Sequence, residues 1–293
     1  MDHNSLVFLI TGCSSGFGYE IAKTARQRGF RVIATARRIE TLQPLKELGA
    51  ETLQLDVTAS ATDLRAFSKQ VWTMYGHVDV LINNAGYVLG GAFEECSPEE
   101  VQTQFSTNVF GVLNLTNAFL PYFRERRSGM VVNISSPGGS LGVSGLGAYC
   151  ASKAALDSIS DTWARELAEF NVKCVSIQPG LFRTRVAGDN LKLGSNSISE
   201  YTIATRNLAH FHNQTGTERG DPAIGASRIV DFIAQNYDKA PSELPLRLAL
   251  GPDAFEAMKM VLEGRLAELE KWREWSFGTD FAGHCIIVPA PWN

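Results

Sequence analysis

Three side chains of different chemistry, Ser136, Tyr149 and Lys153, have a spacing that suits proton transfer to an oxygen atom. Tyr149 and Lys153 are four residues apart, so on a helix they share one face. An ammonium group there would stabilise the phenolate and lower the tyrosine pKa from its usual value of about 10, which favours proton donation near neutral pH. The Ser136 hydroxyl can hold an oxygen that gains negative charge. Because this Tyr–Lys spacing also arises by chance, the prediction needs a nucleotide site to support it.

A glycine-rich turn near the start of the chain has the pattern of such a site. The apolar run Leu6–Ile10 predicts a buried parallel strand, the segment TGCSSGFG follows at residues 11–18, and a helical pattern begins at once. Gly12 permits a tight turn, Gly16 lets the backbone approach a pyrophosphate, and Gly18 lets the helix pack on the strand. The alternative, a flexible Ser/Gly turn, is disfavoured by this context.

Composition narrows the class of protein. The 293 residues carry a net charge of −4 without a basic stripe, so we predict no nucleic-acid partner and no polybasic membrane contact. No apolar stretch is long enough to cross a bilayer, and no signal peptide is recognised. Five cysteines without metal-type spacing predict a reducing, cytoplasmic location, and neither they nor the histidines predict a metal site. Without a linker-like segment, residues 1–293 are expected to form a single domain.

Strand-like and helical patterns alternate along the chain, which predicts a doubly wound α/β fold with a parallel sheet and helices on both faces. Ligands of such sheets bind beyond the carboxyl ends of the strands. Asp56, Asn83–Gly86, Ser136 and Pro179–Thr184 each follow a predicted strand, as the glycine turn does. The predicted strands are 6–10, 31–36, 52–56, 78–82, 130–134, 172–177 and 246–250, and the predicted helices are 61–75, 98–127 (one or two helices), 149–170 and 253–275.

Together these motifs resemble the short-chain dehydrogenase/reductase family in order and spacing over residues 5–187. The resemblance implies a Rossmann-type sheet of seven strands and a nicotinamide cofactor. It implies Tyr149 as the acid/base, Lys153 as the group that binds the nicotinamide ribose and tunes Tyr149, and Ser136 as the polariser of a substrate carbonyl. It further implies that Asn108 supports a water molecule in a proton relay.

The resemblance also implies a set of cofactor contacts. Asp56 and Val57 would hold the adenine, the backbone of Asn83–Gly86 would pass along the adenosine, and Phe182 and Thr184 would bracket the carboxamide. Phe17 departs from the Ile or Leu that the family more often has there, a change of packing. The complete predicted set is Gly12, Ser14, Ser15, Gly16, Phe17, Gly18, Arg37, Arg38, Asp56, Val57, Asn83, Ala85, Gly86, Tyr149, Lys153, Pro179, Gly180, Phe182 and Thr184.

The end of the second strand indicates NADP(H) as the cofactor. An NAD enzyme has an acid there, but this chain has Ala36 followed by Arg37 and Arg38. A 2′-phosphate needs a cation and no competing carboxylate, and Ser14 and Thr35 would add hydroxyl donors. The alternative is that the two arginines only cover the sheet edge with their aliphatic stems.

The later part of the chain is less diagnostic. The polar stretch 188–222 is expected to be a substrate lid, and residues 252–293 a C-terminal helix and apolar tail. The tail, 281–293, would close a substrate pocket, its own or a neighbour's, or cap the sheet. The acidic pairs Glu94/Glu95 and Glu99/Glu100 are interpreted as structural, because acids favour a helix start.

These expectations combine into one functional hypothesis: NADPH-dependent reduction of a ketone or aldehyde on a hydrophobic small molecule to the alcohol. The C-terminal character resembles the retinol and hydroxysteroid side of the family, an analogy at the level of the fold. Three alternatives stay open: oxidation of an alcohol, reduction coupled to cyclisation or isomerisation, and a noncatalytic NADP-sensing protein. A homodimer or homotetramer is expected through the helices at about 105–127 and 149–170.

Overall fold

The computed structural model of the chain describes residues 6–279 and 281, and its centre is a sheet of seven strands. The strands of this sheet are β1 (Val7–Ile10), β2 (Arg31–Ala36), β3 (Glu51–Gln54), β4 (Val80–Asn83), β6 (Gly129–Ile134), β7 (Val172–Pro179) and β9 (Arg247–Leu250), and two short strands, β5 (Val88–Gly90) and β8 (Leu191–Leu193), pair separately. The order is β3-β2-β1-β4-β6-β7-β9, and every pairing is parallel. The predicted doubly wound, seven-stranded fold is therefore confirmed. The order in which strands are added to the sheet reverses between β1 and β4.

The helices cover both faces of the sheet. Their bounds are α1 (Gly16–Gln27), α2 (Gln43–Glu47), α3 (Ala61–Tyr75), α4 (Pro98–Phe105), α5 (Val112–Arg126), α6 (Gly147–Glu166), α7 (Thr202–Asn213), α8 (Pro222–Asn236), α9 (Pro252–Lys271) and α10 (Arg273–Ser276). The predicted segment 98–127 is two helices, α4 and α5, joined by a π-turn at Ser106–Gly111.

Two apolar layers enclose the sheet, which explains why its strands read as nearly continuous apolar runs. Alternate residues of β1 belong to different layers: Phe8 and Ile10 pack with α1 and α8, and Val7 and Leu9 pack with α3, α5 and α6. All four side chains are fully buried. The sheet is thereby fixed from both sides, and its strand ends become rigid supports for loops.

The polar stretch 188–222, here called the lid, contains regular structure that the sequence did not reveal. It includes β8, which pairs with β5, and the helix α7. Only Ala204 of α7 is buried, so the segment lacks the apolar stripe that identifies a core helix. The segment predicted as a lid thus contains a strand and a helix, and several of its residues line the cleft at the carboxyl ends of the sheet strands.

The helix α9 is in contact with the rest of the protein near its start, and most of its later residues are exposed. Near its middle, Arg265 Nη2 donates to Ser140 O at 2.6 Å, and beyond that point Leu266 and Leu269 are 61% and 63% exposed. The predicted apolar tail lies outside the described residues except for Phe281. No helix among the described residues is long and apolar enough to cross a membrane.

Candidate active site

A cleft of about 1240 Å³ lies at the carboxyl ends of the strands and collects most of the predicted site residues. Those that line it are Gly12, Ser14, Ser15, Gly16, Phe17, Arg37, Asp56, Val57, Ala85, Gly86, Ser136, Tyr149, Lys153, Pro179, Gly180, Phe182 and Thr184. Four predicted residues are absent from its lining, namely Gly18, Arg38, Asn83 and Asn108. The predicted convergence of the strand-end motifs on one edge therefore holds in the structure.

The glycine turn has the geometry of an anion cradle. Gly12 and Gly16 have positive φ angles of 70° and 60°, and a Cβ at Gly12 would lie 2.8 Å from Ala85 Cα. A Cβ at Gly18 would lie 2.4 Å from Gly12 O, so Gly18 serves the packing of α1 on the turn. The N-cap Ser15 makes no side-chain cap bond, and no acid occupies the first turn of α1. The first N–H groups of α1 therefore fit the pyrophosphate of a dinucleotide.

The side chains of Asn84 and Thr11, to which the sequence prediction gave no role, hold the glycine turn in place. Asn84 Nδ2 donates to Thr11 O at 2.9 Å and to Gly12 O at 3.1 Å. The backbone N–H groups of Asn84 and Ala85 both donate to Thr11 Oγ1 at 3.0 Å. Four hydrogen bonds thus join the loops after β1 and β4, the two strands between which the strand order of the sheet reverses.

The side chain of the adjacent Asn83 is buried inside the protein, and the contact of its backbone with the adenosine stays a prediction. Its side chain is 2% exposed, and Nδ2 donates to Thr116 Oγ1 at 2.9 Å and to Asn133 Oδ1 at 2.8 Å. Asn83 therefore connects β4 to α5 and β6 inside the protein. Asn84, the first residue after β4, lines the cleft.

The end of β2 has one cation at the cleft. Arg37 is exposed and lines the cleft, and none of the ion pairs among the described residues involves it. Arg38 is exposed but does not line the cleft. Thr35 was wrongly expected to be a phosphate donor: it is 1% exposed, and its hydroxyl donates to Ile10 O at 3.1 Å. Ser14, by contrast, is exposed at the cleft beside α1.

Asp56 and Val57, the predicted adenine contacts, lie in the turn after β3. The Asp56 carboxylate accepts hydrogen bonds from Thr58 N at 2.9 Å and from Thr58 Oγ1 at 2.7 Å. This local turn fixes the backbone on which the two residues sit. Their contact with adenine stays a prediction.

The catalytic candidates meet where α6 begins. Tyr149 lies in the first turn of α6 and Lys153 in the next, and the Ser136 hydroxyl is hydrogen-bonded to Tyr149. Ser136 Oγ also accepts from Gly138 N at 3.1 Å. Lys153 is 6% exposed, and its Nζ donates to Ile134 O at 2.8 Å and lies 5.9 Å from the centre of the Tyr149 ring.

The pKa values of this pair differ from the sequence-based expectation. Burial raises the pKa of Tyr149 to about 12, and the hydrogen bond with Ser136 opposes that shift. Burial lowers the pKa of Lys153 to about 8, while the carboxylate of Asp157 opposes the change. The expected lowering of the Tyr149 pKa by Lys153 is not seen, because the ammonium group hydrogen-bonds to Ile134 O and the phenol is desolvated.

Asn108 lies in the π-turn and has a fully engaged side chain. Its Oδ1 accepts from Tyr87 N at 3.2 Å, and its Nδ2 donates to Tyr87 O at 3.0 Å and to Ser152 Oγ at 3.2 Å. A Cβ at Gly86 would lie 3.1 Å from Asn108 Oδ1 and 3.8 Å from Lys153 Nζ, so Gly86 lies close to both groups. Asn108 thus fixes the wall of the cleft beside Lys153, and its relay role stays a prediction.

The loop after β7 leans on the glycine turn. The ring of Phe182 packs edge-on against that of Phe17, with centroids 4.8 Å apart, and a Cβ at Gly16 would lie 3.4 Å from Thr184 Cβ. Phe17, the departure from the family pattern, therefore has a packing partner from the predicted carboxamide loop.

The remaining part of the cleft is lined by both apolar and polar residues. The apolar ones include Leu141, Val143, Leu146, Cys150, Val186 and Phe211, and the polar ones include Asp189, Asn207, His210 and Gln214. Asn207, His210 and Phe211 belong to α7, and Gln214 directly follows it. His210 is hydrogen-bonded to Gln214 at 2.9 Å, and His212 to Ala187 O at 2.9 Å. The lid therefore forms one side of this part of the cleft.

Comparisons with known proteins agree with this geometry. Residues 6–192 match the family model described as short chain dehydrogenase. The chain is 34% identical over 277 residues to oxidoreductase BOA17 of Botryotinia fuckeliana, covering 93% of this chain and 98% of that protein. It is 42% identical over 179 residues to a 3-ketodihydrosphingosine reductase of Bacteroides thetaiotaomicron, covering 61% of this chain and 64% of that protein.

Two solved structures share the fold. A short-chain dehydrogenase from Streptomyces avermitilis matches with a TM-score of 0.85 and 40% identity, covering 96% of this chain and all of that one. A variant of actinorhodin polyketide ketoreductase with NADPH matches with a TM-score of 0.69 and 29% identity, covering 84% of this chain and 96% of that one.

Proposed function

Because the chain belongs to the short-chain dehydrogenase family, we propose that it reduces a ketone or aldehyde on a hydrophobic small molecule to the alcohol with NADPH. The observation that carries the proposal is the meeting of Ser136, Tyr149 and Lys153 with the glycine turn at one cleft. The relative named as a 3-ketodihydrosphingosine reductase and the ketoreductase with NADPH support carbonyl reduction and the choice of cofactor.

Different residues at the cleft would bind the cofactor, hold the substrate and transfer the proton. The first turn of α1 would hold the pyrophosphate, and Arg37 with Ser14 the 2′-phosphate of NADPH. The bound nicotinamide supplies the hydride. Ser136 holds the substrate oxygen by its hydroxyl, and Tyr149 gives its proton to the oxygen as negative charge develops there. Lys153, charged below a pKa of about 8, places a positive field beside the phenol.

The protonation of Tyr149 supports the reductive direction. A phenol with a pKa of about 12 carries its proton at neutral pH and is ready to act as an acid. Oxidation of an alcohol would need the phenolate, which burial disfavours. The reverse reaction therefore needs a higher pH than the reduction.

The proposal is tested with purified protein, NADPH and a panel of ketones and aldehydes that differ in size and polarity. We expect loss of NADPH absorbance and a matching amount of alcohol by mass spectrometry, largest for apolar substrates, and slower turnover with NADH. Stoichiometric NADPH binding with no turnover across the panel would favour the noncatalytic alternative. A preference for NADH would contradict the NADP assignment.

We also keep the homo-oligomer and the cytoplasmic location as proposals. The exposed Phe110 and Ala154 lie on the segments α4–α5 and α6 through which the family commonly pairs. Light scattering at micromolar concentration should give a dimer or tetramer, and a monomer would contradict the interface.

A further inference from the structure

We propose that three acidic side chains, Glu94, Glu95 and Glu100, fix the lid in place and thereby set the KM for the carbonyl substrate. We call these three residues the acidic clamp. They lie in and just before α4, about 100 positions from the lid segment that they hold. The inference rests on the proposed reduction only for its kinetic test.

Two members of the clamp bind the backbone of the lid. Glu95 is 8% exposed, and its Oε1 accepts from Ile198 N at 3.0 Å while Oε2 accepts from Ala92 N at 2.7 Å. Glu100 Oε2 accepts from Ser195 N at 3.2 Å. Because these two donors are main-chain groups, this part of the attachment depends on the acidic residues more than on the side chains of the lid.

The third member binds a side chain. Tyr201, the residue before α7, donates its hydroxyl to Glu94 Oε2 at 2.6 Å. Main-chain bonds reinforce this line of attachment: Asn196 N donates to Glu95 O at 3.0 Å, and Gly194 N donates to Gly90 O at 2.8 Å. The lid is therefore held at several points between β8 and α7.

This attachment determines where α7 lies. The helix begins at Thr202, directly after the clamped segment, and carries Asn207, His210 and Phe211 to the cleft. On its other side α7 packs closely on the loop that leads to Tyr149, since a Cβ at Gly145 would lie 2.6 Å from Ala204 O. The clamp thus acts on the substrate through the position of α7.

The helix α4 is also attached to the segment around β5, which lines the cleft and pairs with β8 of the lid. Gln104, fully buried in α4, accepts from Leu89 N at 2.6 Å and donates to Tyr87 O at 2.8 Å. Tyr87 and Leu89 both line the cleft. One short helix, α4, therefore sets the placement both of the lid and of the β5 segment that pairs with it.

Two of the three clamp carboxylates, those of Glu95 and Glu100, are stabilised in their ionised form. The backbone N–H groups of Ile198 and Ala92 lower the pKa of Glu95, and those of Ser97 and Ser195 lower the pKa of Glu100. Hydrogen bonds to an ionised acceptor are stronger than neutral ones, so the attachment is stable at neutral pH. Glu100 also closes the capping box of α4, accepting from Ser97 N at 2.8 Å. The sequence interpretation of Glu100 as a helix-start acid is thus confirmed, but it missed the lid contact.

The test compares Glu95→Gln with Glu200→Gln. The amide that replaces the Glu95 carboxylate keeps one acceptor oxygen and loses the other, whereas the carboxylate of Glu200 accepts only within the lid, from Ser199 and from its own backbone. We expect the KM of Glu95→Gln for the carbonyl substrate to rise about tenfold, with kcat and the Kd for NADPH unchanged. Amide hydrogen exchange at Ile198 should accelerate by a similar factor. Glu200→Gln should match the parent in every measurement.

A second pair of variants protects the test against misfolding of the buried Glu95 site. Tyr201→Phe removes only the exposed bond to Glu94 and should raise the KM about threefold, and Glu94→Gln, which replaces the charged acceptor by a neutral one, should raise it by a smaller factor. An unchanged KM in both Glu95→Gln and Tyr201→Phe would overturn the proposal. So would parallel losses of melting temperature, kcat and NADPH affinity, which indicate a purely structural role. Absence of any turnover in the parent would instead defeat the proposed function, and faster exchange at Ile198 would still show that Glu95 holds the lid.

Discussion

The two edges of the sheet use their polar groups differently. At the amino-terminal ends of the strands, here called the amino edge, polar side chains bind one another inside the protein. At the carboxyl-terminal ends, here called the carboxyl edge, polar groups line a cleft. Asp79, 2% exposed, accepts from Val7 N at 2.7 Å and from Tyr237 Oη at 3.1 Å, and pairs with Arg126 at 2.8 Å and His77 at 3.2 Å. At the carboxyl edge, Thr11 and Asn84 bond to backbone only, and the first N–H groups of α1 remain directed at the cleft.

The comparison separates stability from chemistry. A buried carboxylate whose partners all lie within the fold contributes to folding, because removing one partner leaves another charge unpaired. A hydroxyl, a phenol and an N-terminal helix turn that meet at a cleft are suited to binding and proton transfer. Substitutions at the two edges should therefore change different measured quantities.

The largest expected effect is at the carboxyl edge. Tyr149→Phe removes the phenol proton and keeps the ring, so turnover should fall by about 10²–10⁴-fold, while the Kd for NADPH and the melting temperature stay close to those of the parent. Single-turnover kinetics and a fluorescence titration measure the two quantities. Activity within a few-fold of the parent would remove Tyr149 as the acid.

At the amino edge the loss should be in stability alone. Asp79→Asn leaves Arg126 without its buried carboxylate and should lower the free energy of unfolding by about 3 kcal/mol in urea denaturation. The kinetic constants of the folded enzyme should not change, because Asp79 lies at the opposite edge from the cleft. A marked change in kcat would show that the two edges are coupled.

Arg37→Ala tests whether the cation at the end of β2 binds the 2′-phosphate of NADPH. Only NADPH has the 2′-phosphate, so its binding should weaken by about 1.5–3 kcal/mol while that of NADH changes little. Arg38→Ala, at a neighbouring exposed position away from the cleft lining, is the matched control. Equal losses for both cofactors would assign Arg37 to the sheet edge only.

The smallest expected effect is a shift, to lower pH, of the pH dependence of kcat/KM. Lys153 must be charged to support Tyr149, so kcat/KM for reduction should fall as pH rises through about 8. The negative charge of Asp157 raises the pKa of Lys153 and of Tyr149, and therefore Asp157→Asn should move this fall to lower pH, by about 1 unit.

The surroundings of Asp157 define the control for that measurement. Asp157 accepts from Ser176 Oγ at 2.6 Å and Gln178 Nε2 at 2.8 Å, and Arg247 lies 3.8 Å away and also pairs with Asp161. Asp161→Asn removes the same charge one helical turn farther from Lys153 and should leave the profile in place. A common displacement in both variants would point to a general change in Arg247 instead.

The sequence predicted those parts of the site that are formed by motifs of neighbouring residues. The glycine turn, the Tyr149–Lys153 spacing and the strand ends are read from residues close together in the chain, and the sheet confirms their convergence. Thr35 was wrongly expected at the cleft, because the direction of its side chain depends on how β2 is placed in the sheet.

Long-range contacts had no local signal. The contacts of Glu95 with Ile198 and of Glu94 with Tyr201 join residues more than 100 positions apart, and their donors include a backbone group that any residue supplies. The Tyr149 pKa was likewise mispredicted, because its main cause is burial by elements from elsewhere in the chain. Such features follow from tertiary packing and become visible only with the fold.

The π-turn at Ser106–Gly111 absorbs one extra residue between α4 and α5. A regular α-helix turns by about 100° per residue, whereas the wider π-turn takes up the additional residue with little change in the rotational phase of the helices on either side. Deleting one residue of the turn would therefore allow a regular helix and leave Glu100 and Gln104 directed at Ser195 and Tyr87. The residues of the turn itself would be displaced, and Asn108 would lose its hydrogen bonds to Tyr87 and Ser152. A deletion in this segment should therefore disturb the cleft wall beside Lys153 and spare the attachment of the lid.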